Sequence, residues 1–436
     1  MQLCAGRGRT ADVRRIGRCG GCRHRRRAAQ DPSARVVGAV GAGDSGLVRA
    51  GTGDRPQPGL APAGGERVFN CGGAGRFGLC ATGFCRGIGP HLRRMTMIAV
   101  WHMALATGCA GAVGCAATWL VVALTRRCGL FDQPNERSAH TAPMPTAGGL
   151  GVVAGFWAGV AVLYGAGSWV GEGLGGWLAA SALLLLAVID DWLRPMRPWE
   201  KILLLLVAIA VWLAWAPHLQ WLAVPGLGQV ALGWWGWPLT VAWFFFLCNA
   251  FNFMDGIDGL SGLQTLCTAL WTGALLWGLG SAAGPVAWVL AAATAGFLVF
   301  NLPPARIFMG DVGALFVGFS VAACGILGAQ AGLPLWCFVM VLAVYIFDVG
   351  YTLVRRGLRG ENLTRAHRKH LYQRLDRMGW SHWRIDAVAV GITSLMGLGV
   401  YGYLIGLTAS LGLCGLGGIA LVAGAAWIEA RDPDFV

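Results

Sequence analysis

Charge is what this sequence has least of. Only 13% of its 436 residues are Asp, Glu, Lys or Arg, against 56% hydrophobic residues; that scarcity excludes an ordinary soluble domain, where about a quarter of the residues are charged. The little charge there is lies unevenly. Residues 1–94 hold 17 Arg, five acids and no lysine, whereas residues 95–436 hold 17 basic and 16 acidic residues. The net charge of +13 therefore belongs almost wholly to the leading tract, and nucleic acid is not an expected partner of the rest. Metal-site spacing is also lacking. Cys19, Cys22 and His24, with Cys71, Cys80 and Cys85 further on, have no second CxxC or HxxxH to complete a zinc site. The leading tract is not expected to be a signal peptide, because the first apolar stretch comes far too late. Residues 1–94 are rich in Gly, Arg and Ala without hydrophobic periodicity, so they are expected to be a disordered extension. We expect this tract to be upstream DNA read from an early start codon, with the natural start at Met95 or Met97. The eight later cysteines sit in apolar runs or at their ends, which suits reduced, small hydrophobic side chains and excludes a disulfide framework.

What the sequence does contain is long apolar runs. Eleven follow residue 95, near 98–124, 147–166, 174–189, 202–216, 238–254, 259–277, 285–302, 312–328, 332–352, 385–405 and 409–429. Runs this long and continuous can satisfy their backbone groups in lipid only as helices. The predicted fold is all-α, a polytopic transmembrane helical bundle of about 11 spans covering residues 95–436. Every Lys and Arg after residue 95 falls in alternate connections or after the last run. That side is expected to be cytoplasmic. On the other side, Trp234, Trp235 and Trp237 read as an interfacial belt.

Five segments on the basic side carry polar residues that hydrocarbon would not tolerate. They are FDQPNERSAHTAPMPTAGG (131–149), VIDDWLRP with Asp190 and Asp191, NAFNFMDGIDGL (249–260), FNLPPARIFMGDVG with Asp311, and ENLTRAHRKHLYQRL with His367, Arg368, Lys369 and His370. Taken singly, paired aspartates are as often a helix cap as a metal site, and the histidines could be interfacial. Together, five acids at the mouths of separate spans repel one another unless a cation compensates them. A hard dication with oxygen ligands, magnesium above all, is the natural compensation, and the neighbouring basic residues suit a phosphate. Metal, phosphate ligands and carboxylates are the parts that phosphoryl transfer requires.

In order and spacing, DQPNERSAHTAPMPTAGG, VIDDW, NAFNFMDGIDGLSG, FNLPPARIFMGDVG and GENLTRAHRKHLYQRL resemble the five cytoplasmic motifs of the polyprenyl-phosphate N-acetylhexosamine-1-phosphate transferases. The likeness runs over about residues 98–430. It implies transfer of a sugar 1-phosphate from a UDP-sugar to undecaprenyl phosphate in the bilayer, with release of UMP, dependence on magnesium (or manganese) and a homodimer. By motif position it makes Asp311 the principal metal ligand with Asp191 beside it. It puts Asp190 and Asp191 at the lipid phosphate, Asp255 and Asp258 in catalytic places in the nucleotide-sugar cleft with Asn252, and Phe308 on the uracil. His367 and His370 meet phosphates or sugar, and His140 and Arg368 are substrate contacts. Whether an aspartate attacks the β-phosphate or only deprotonates the lipid phosphate stays open. RSAHTAPMP and PPARIFMGDVG resemble the O-antigen-initiating branch; the phospho-N-acetylmuramoyl-pentapeptide transferases, whose first loop carries a lysine, are the alternative. Thr146-Ala147 stands where Arg-Gly is expected, and Ala314 where Ser is expected, so the sugar itself is not legible.

Two rival classes fit less well. An ion-coupled transporter places its acids near the midplane, and here they gather at one face with no internal repeat. An intramembrane aspartyl protease pairing Asp311 with Asp348 wants a glycine where Phe308 stands. Asp348 is expected to cap its span beside the basic loop.

Overall fold

This computed structural model describes residues 90–132, 143–168, 173–224, 228–363 and 367–432; the expectations for residues 1–89 and for His140 fall outside them. Fourteen α-helices follow one another among the described residues: α1 (Pro90–Cys128), α2 (Gly149–Gly165), α3 (Leu174–Leu184), α4 (Val188–Trp192), α5 (Pro198–Trp215), α6 (Gly236–Phe253), α7 (Leu260–Gly278), α8 (Ala283–Asn301), α9 (Gly310–Gln330), α10 (Leu335–Val341), α11 (Ala343–Leu358), α12 (Leu371–Arg377), α13 (His382–Leu404) and α14 (Leu411–Arg431). Two antiparallel strand pairs complete the description. β1 (Phe131–Asp132) pairs with β2 (Met144–Pro145), Phe131 opposite Pro145; β3 (Trp221–Val224) pairs with β4 (Gly228–Ala231), Trp221 opposite Ala231.

The expected all-α membrane bundle is what the chain forms. Each of the eleven apolar runs becomes a helix, the third passing through a short 3₁₀ turn into α4 and the ninth breaking into α10 and α11, bent by 82°. Among the described residues seven helices are long and apolar enough to cross a membrane, or eight if the bent pair is one span. The others fall short for identifiable reasons. α2 has 17 residues, only about 25 Å of rise, and α7 buries Ser261, Gln264, Thr265, Thr268 and Thr272 against its neighbours. Large apolar side chains such as Trp101, Leu203, Ile419 and Val422 face outward, the inverse of a soluble protein and the pattern that lipid imposes.

α9 is the axis of the bundle, buried along almost its whole length. Its Phe316 packs edge-on to Phe156 of α2, and its Phe319 lies against Trp212 of α5 and Phe244 of α6. Since lipid supplies no hydrophobic drive between helices, close backbone approach carries the packing. Gly149 of α2 and Gly313 of α9 are the tightest case: a Cβ on Gly149 would lie 2.1 Å from the Gly313 Cα. Gly149→Ala is therefore expected to destabilise the protein by ~1–3 kcal/mol, read as a lowered Tm in detergent. An unchanged Tm would mean that these helices do not meet there.

The β1–β2 pair brings the first polar loop back to the start of α2, through Ala147 at φ 65°. This is one of the two positions where the sequence departs from the expected Arg-Gly. A left-handed alanine costs roughly 1–2 kcal/mol, and here it is fully buried. Between Asn301 and Gly310 the chain crosses back over this loop: Phe308 N–H donates to the Pro145 carbonyl at 2.9 Å and Gly148 N–H donates to the Phe308 carbonyl at 2.9 Å. The first and fourth polar segments are thus one structural unit.

Candidate active site

α9 begins where a transmembrane helix has its least satisfied backbone, with four amide groups lacking intrahelical acceptors. Asp191 answers two of them. Its Oδ1 accepts from Asp311 N–H and its Oδ2 from Val312 N–H, both at 3.1 Å, and the Thr146 hydroxyl donates to Oδ1 at 3.3 Å. Gly310 makes this approach feasible: at φ +74°, a Cβ there would stand 2.5 Å from Asp191 Oδ1. Thr146, the other departure from the expected motif, has become a partner of the cap. Asp191, expected beside the metal, is held here by the start of α9. Its oxygens are committed to the helix terminus, where they also complement the macrodipole.

Asp190 points the other way. Its Oδ1 accepts the Met196 N–H and its Oδ2 takes Lys201 Nζ at 2.9 Å. The same ammonium stands 2.5 Å from Asp311 Oδ2, and Asp311 Oδ1 accepts the Asn252 amide at 2.9 Å. One unbroken chain, Asp190–Lys201–Asp311–Asn252, thus joins residues of α4, α5, α9 and α6. Lys201 was absent from the sequence-derived site, where it figured only among the cytoplasmic cations. Its signal was faint but present: it is one of only two lysines in the chain, set in the first turn of α5 ten residues after the aspartate pair.

Asp255 sits in the turn between α6 and α7, within reach of the Gly310 N–H and the Ser261 hydroxyl. Desolvation, and then the Asp311 and Asp191 carboxylates, push its pKa up to about 8. Asp258, three residues on, is not part of the group. Its Oδ2 accepts the Ala305 N–H at 3.1 Å and lies 3.4 Å from His382 Nδ1. These contacts tie the turn to the loop before α9. Phe308 is fixed by its backbone bonds to the first loop, and its ring is not among the cavity walls. Arg368 Nη2 is 3.9 Å from Asp376, and this arginine too stands outside the cavity.

The last polar segment closes over the chain. His367 and His370 line the same cavity as Lys201, Asn252 and Asp311, a space of about 650 Å³. His367 is driven down to about 4, by burial first and then by His370 and Arg356, so it is neutral at pH 7. Away from this polar end the walls are apolar: Ile202 and Leu205 of α5, Phe245 and Phe246 of α6, Val349 and Leu353 of α11. The cavity has a charged head and a greasy flank, which suits a ligand that is a phosphate at one end and hydrocarbon at the other.

Whether the polar end fits a divalent cation is a question of donor chemistry. Among the described residues no three His, Cys, Asp or Glu side chains converge to cage a metal. The hard carboxylate oxygens of Asp311 and Asp190 do converge, and on a cation, the Lys201 ammonium. Magnesium binds through one or two carboxylates and completes its shell with water and substrate phosphates, and a site with this donor set fits it on those terms.

Known proteins carry the same pattern. Residues 174–329 match the family model Glycosyl transferase family 4. The Bacillus subtilis (strain 168) protein named "Probable undecaprenyl-phosphate N-acetylglucosaminyl 1-phosphate transferase" is 31% identical over 277 residues, covering 61% of this chain and 75% of that protein. A phospho-N-acetylmuramoyl-pentapeptide-transferase of Synechococcus sp. is 32% identical over 302 residues, 61% of this chain and 80% of its own. The decaprenyl-phosphate N-acetylglucosaminephosphotransferase of Mycobacterium tuberculosis is 29% identical over 341 residues, 71% and 82%. The matched segment spans the aspartate pair, Lys201, the α6–α7 turn and the start of α9, and the chain belongs to glycosyl transferase family 4.

Proposed function

We propose that this protein transfers a sugar 1-phosphate of the N-acetylhexosamine type from a UDP-sugar to undecaprenyl phosphate, releasing UMP, as the first membrane step of a cell-surface glycan. The observation that carries the reading is the two-sided cavity: Lys201, Asn252 and Asp311 at its head, apolar side chains of α5, α6 and α11 along its flank. A lipid phosphate enters with its chain against the apolar wall. The nucleotide diphosphate meets it at the polar end, on the cytoplasmic face of a bacterial plasma membrane. Asp311 and Asp190 would hold magnesium, which when bound neutralises phosphate oxygens and lowers the barrier to attack. Lys201 holds the two carboxylates in register and adds a positive charge to the same head. Asn252 fixes the rotamer of Asp311, and His370 meets the phosphates from the opposite wall. The pentapeptide-transferase activity of the peptidoglycan relatives is the second reading, and the substrate decides between them.

The direct test is purified protein in detergent or nanodiscs with undecaprenyl phosphate, magnesium and a panel of UDP-sugars, scored for UMP. Release with one UDP-N-acetylhexosamine is expected. Release only with the UDP-muramoyl pentapeptide would move the protein to the second reading, and no release with any donor would overturn both.

Metal binding gives a second test through protons. With its pKa raised to about 8, Asp255 is protonated at pH 7 in the ion-free protein, and a dication beside it favours the carboxylate. Magnesium binding near pH 7 is therefore expected to release about one proton per site, falling to none above about pH 9, where the group is already ionised. Calorimetry in buffers of different ionisation enthalpy measures this. An equal proton count from Asp255→Asn would show that the proton comes from elsewhere.

A further inference from the structure

The broken span places a carboxylate that the reaction scheme above does not use. Asp348 lies on α11, about a turn and a half past the kink, and only 4% of it is exposed. It sits on the helix whose next residue, Val349, and Leu353 form the apolar wall of the cavity. Its oxygens are fully engaged. Leu371 N–H donates to Oδ1 at 3.0 Å, Tyr372 N–H to Oδ2 at 3.1 Å and the Thr352 hydroxyl to Oδ1 at 3.3 Å. The fourth contact is His370 Nδ1, 3.0 Å from Oδ1. His370 itself is only 3% exposed, and it is among the residues that line the cavity with Asp311.

A carboxylate that already takes two backbone N–H groups and a hydroxyl is an acceptor, so the imidazole has to be the donor in the fourth contact. That requires the hydrogen on Nδ1 and leaves Nε2 as the nitrogen available to a ligand. We propose that Asp348 is a positioning residue that holds His370 with Nδ1–H on its carboxylate and turns Nε2 toward the polar end of the cavity, where Nε2 accepts a proton and, once protonated, can donate to a phosphate oxygen. The inference rests on the proposed function for what occupies the cavity, but the tautomer does not depend on it. The arrangement also links the two halves of the site. α11 carries both the apolar wall and the carboxylate, so the helix that seats a hydrocarbon chain also sets the histidine at its head. Tyr372, one of the two residues whose N–H groups Asp348 holds, donates its hydroxyl to the Phe253 carbonyl at 2.9 Å, fastening α12 to the end of α6 where Asn252 sits.

Two measurements on the full chain test this. The first needs no substrate and no variant: ¹⁵N spectra of histidine-labelled protein, with His370 assigned by its loss in His370→Asn, report which ring nitrogen is protonated. Nδ1–H is expected. His370 and Gln373 also sit as a reciprocal helix-capping pair at the start of α12; if Nδ1 accepts the Gln373 N–H instead, the Nε2–H tautomer appears and the proposal fails. The second is a double-mutant cycle on UMP release. Asp348→Asn is expected to lower kcat/KM by about 10–100-fold, the loss usual for a partner that orients a functional histidine, with its Tm measured alongside. In a His370→Asn background the same change should cost nothing further. Additive losses would mean that Asp348 acts through the fold and not through His370. If no UDP-sugar gives UMP, the proposed function falls while the spectra still decide the dyad.

Discussion

Asp311→Asn is expected to reduce UMP release by ~10³-fold or more, because it removes one of the two carboxylates placed to hold a dication against substrate phosphates, a contribution of several kcal/mol. The substitution is nearly isosteric. The Asn252 amide can still reach the new side-chain oxygen, and the Asp311 N–H keeps its bond to Asp191, so the cap of α9 and the fold survive. The loss should therefore fall on kcat, with expression and Tm unchanged. Steady-state kinetics with the accepted UDP-sugar measure it. A variant with full activity would remove Asp311 from the metal site and, with it, the role assigned to its neighbours.

Lys201→Met is expected to cost ~10²–10³-fold, the range for deleting a preorganised charge at a phosphate or oxyanion centre. The ammonium lies 2.9 Å from Asp190 and 2.5 Å from Asp311. Without it the two carboxylates face each other across an empty position and repel. High magnesium should recover part of the loss, since a dication compensates the same charges. Lys201→Arg is not expected to restore activity, because a planar guanidinium cannot place one compact charge between two carboxylates. Titration of activity against magnesium separates the outcomes. Wild-type kinetics in the methionine variant would reduce the lysine to one more cytoplasmic cation.

How much of this was legible beforehand depends on the residue. The aspartates announced themselves, since a carboxylate in an apolar chain needs a reason and five near one face need a common one. Asp190, Asp255, Asp311 and Asn252 do gather as that reasoning required. Lys201 did not announce itself, because a cation at a cytoplasmic helix end is also what topology alone would place there. Asp191 and Asp258 have backbone partners that the sequence did not foretell. Residue type and spacing cannot tell a carboxylate aimed at a ligand from one aimed at a backbone N–H, and these two satisfy the start of α9 and the Ala305 amide. Asp348 was expected to cap its own span; it caps the next helix instead and takes a histidine with it.

The sequence by itself determined that this chain is a membrane helical bundle, which runs become helices, and which short segments carry the polar residues. Those properties follow from hydropathy, length and the cost of burying charge, all of them local. Only the tertiary structure decided which carboxylates share a cation, which are spent on helix ends, and that α11 serves both the apolar wall and the histidine. Those are matters of direction and distance between residues more than a hundred positions apart, such as Lys201 and Asp311, and they become definite only when α9 is packed at the centre and every neighbour is turned against it.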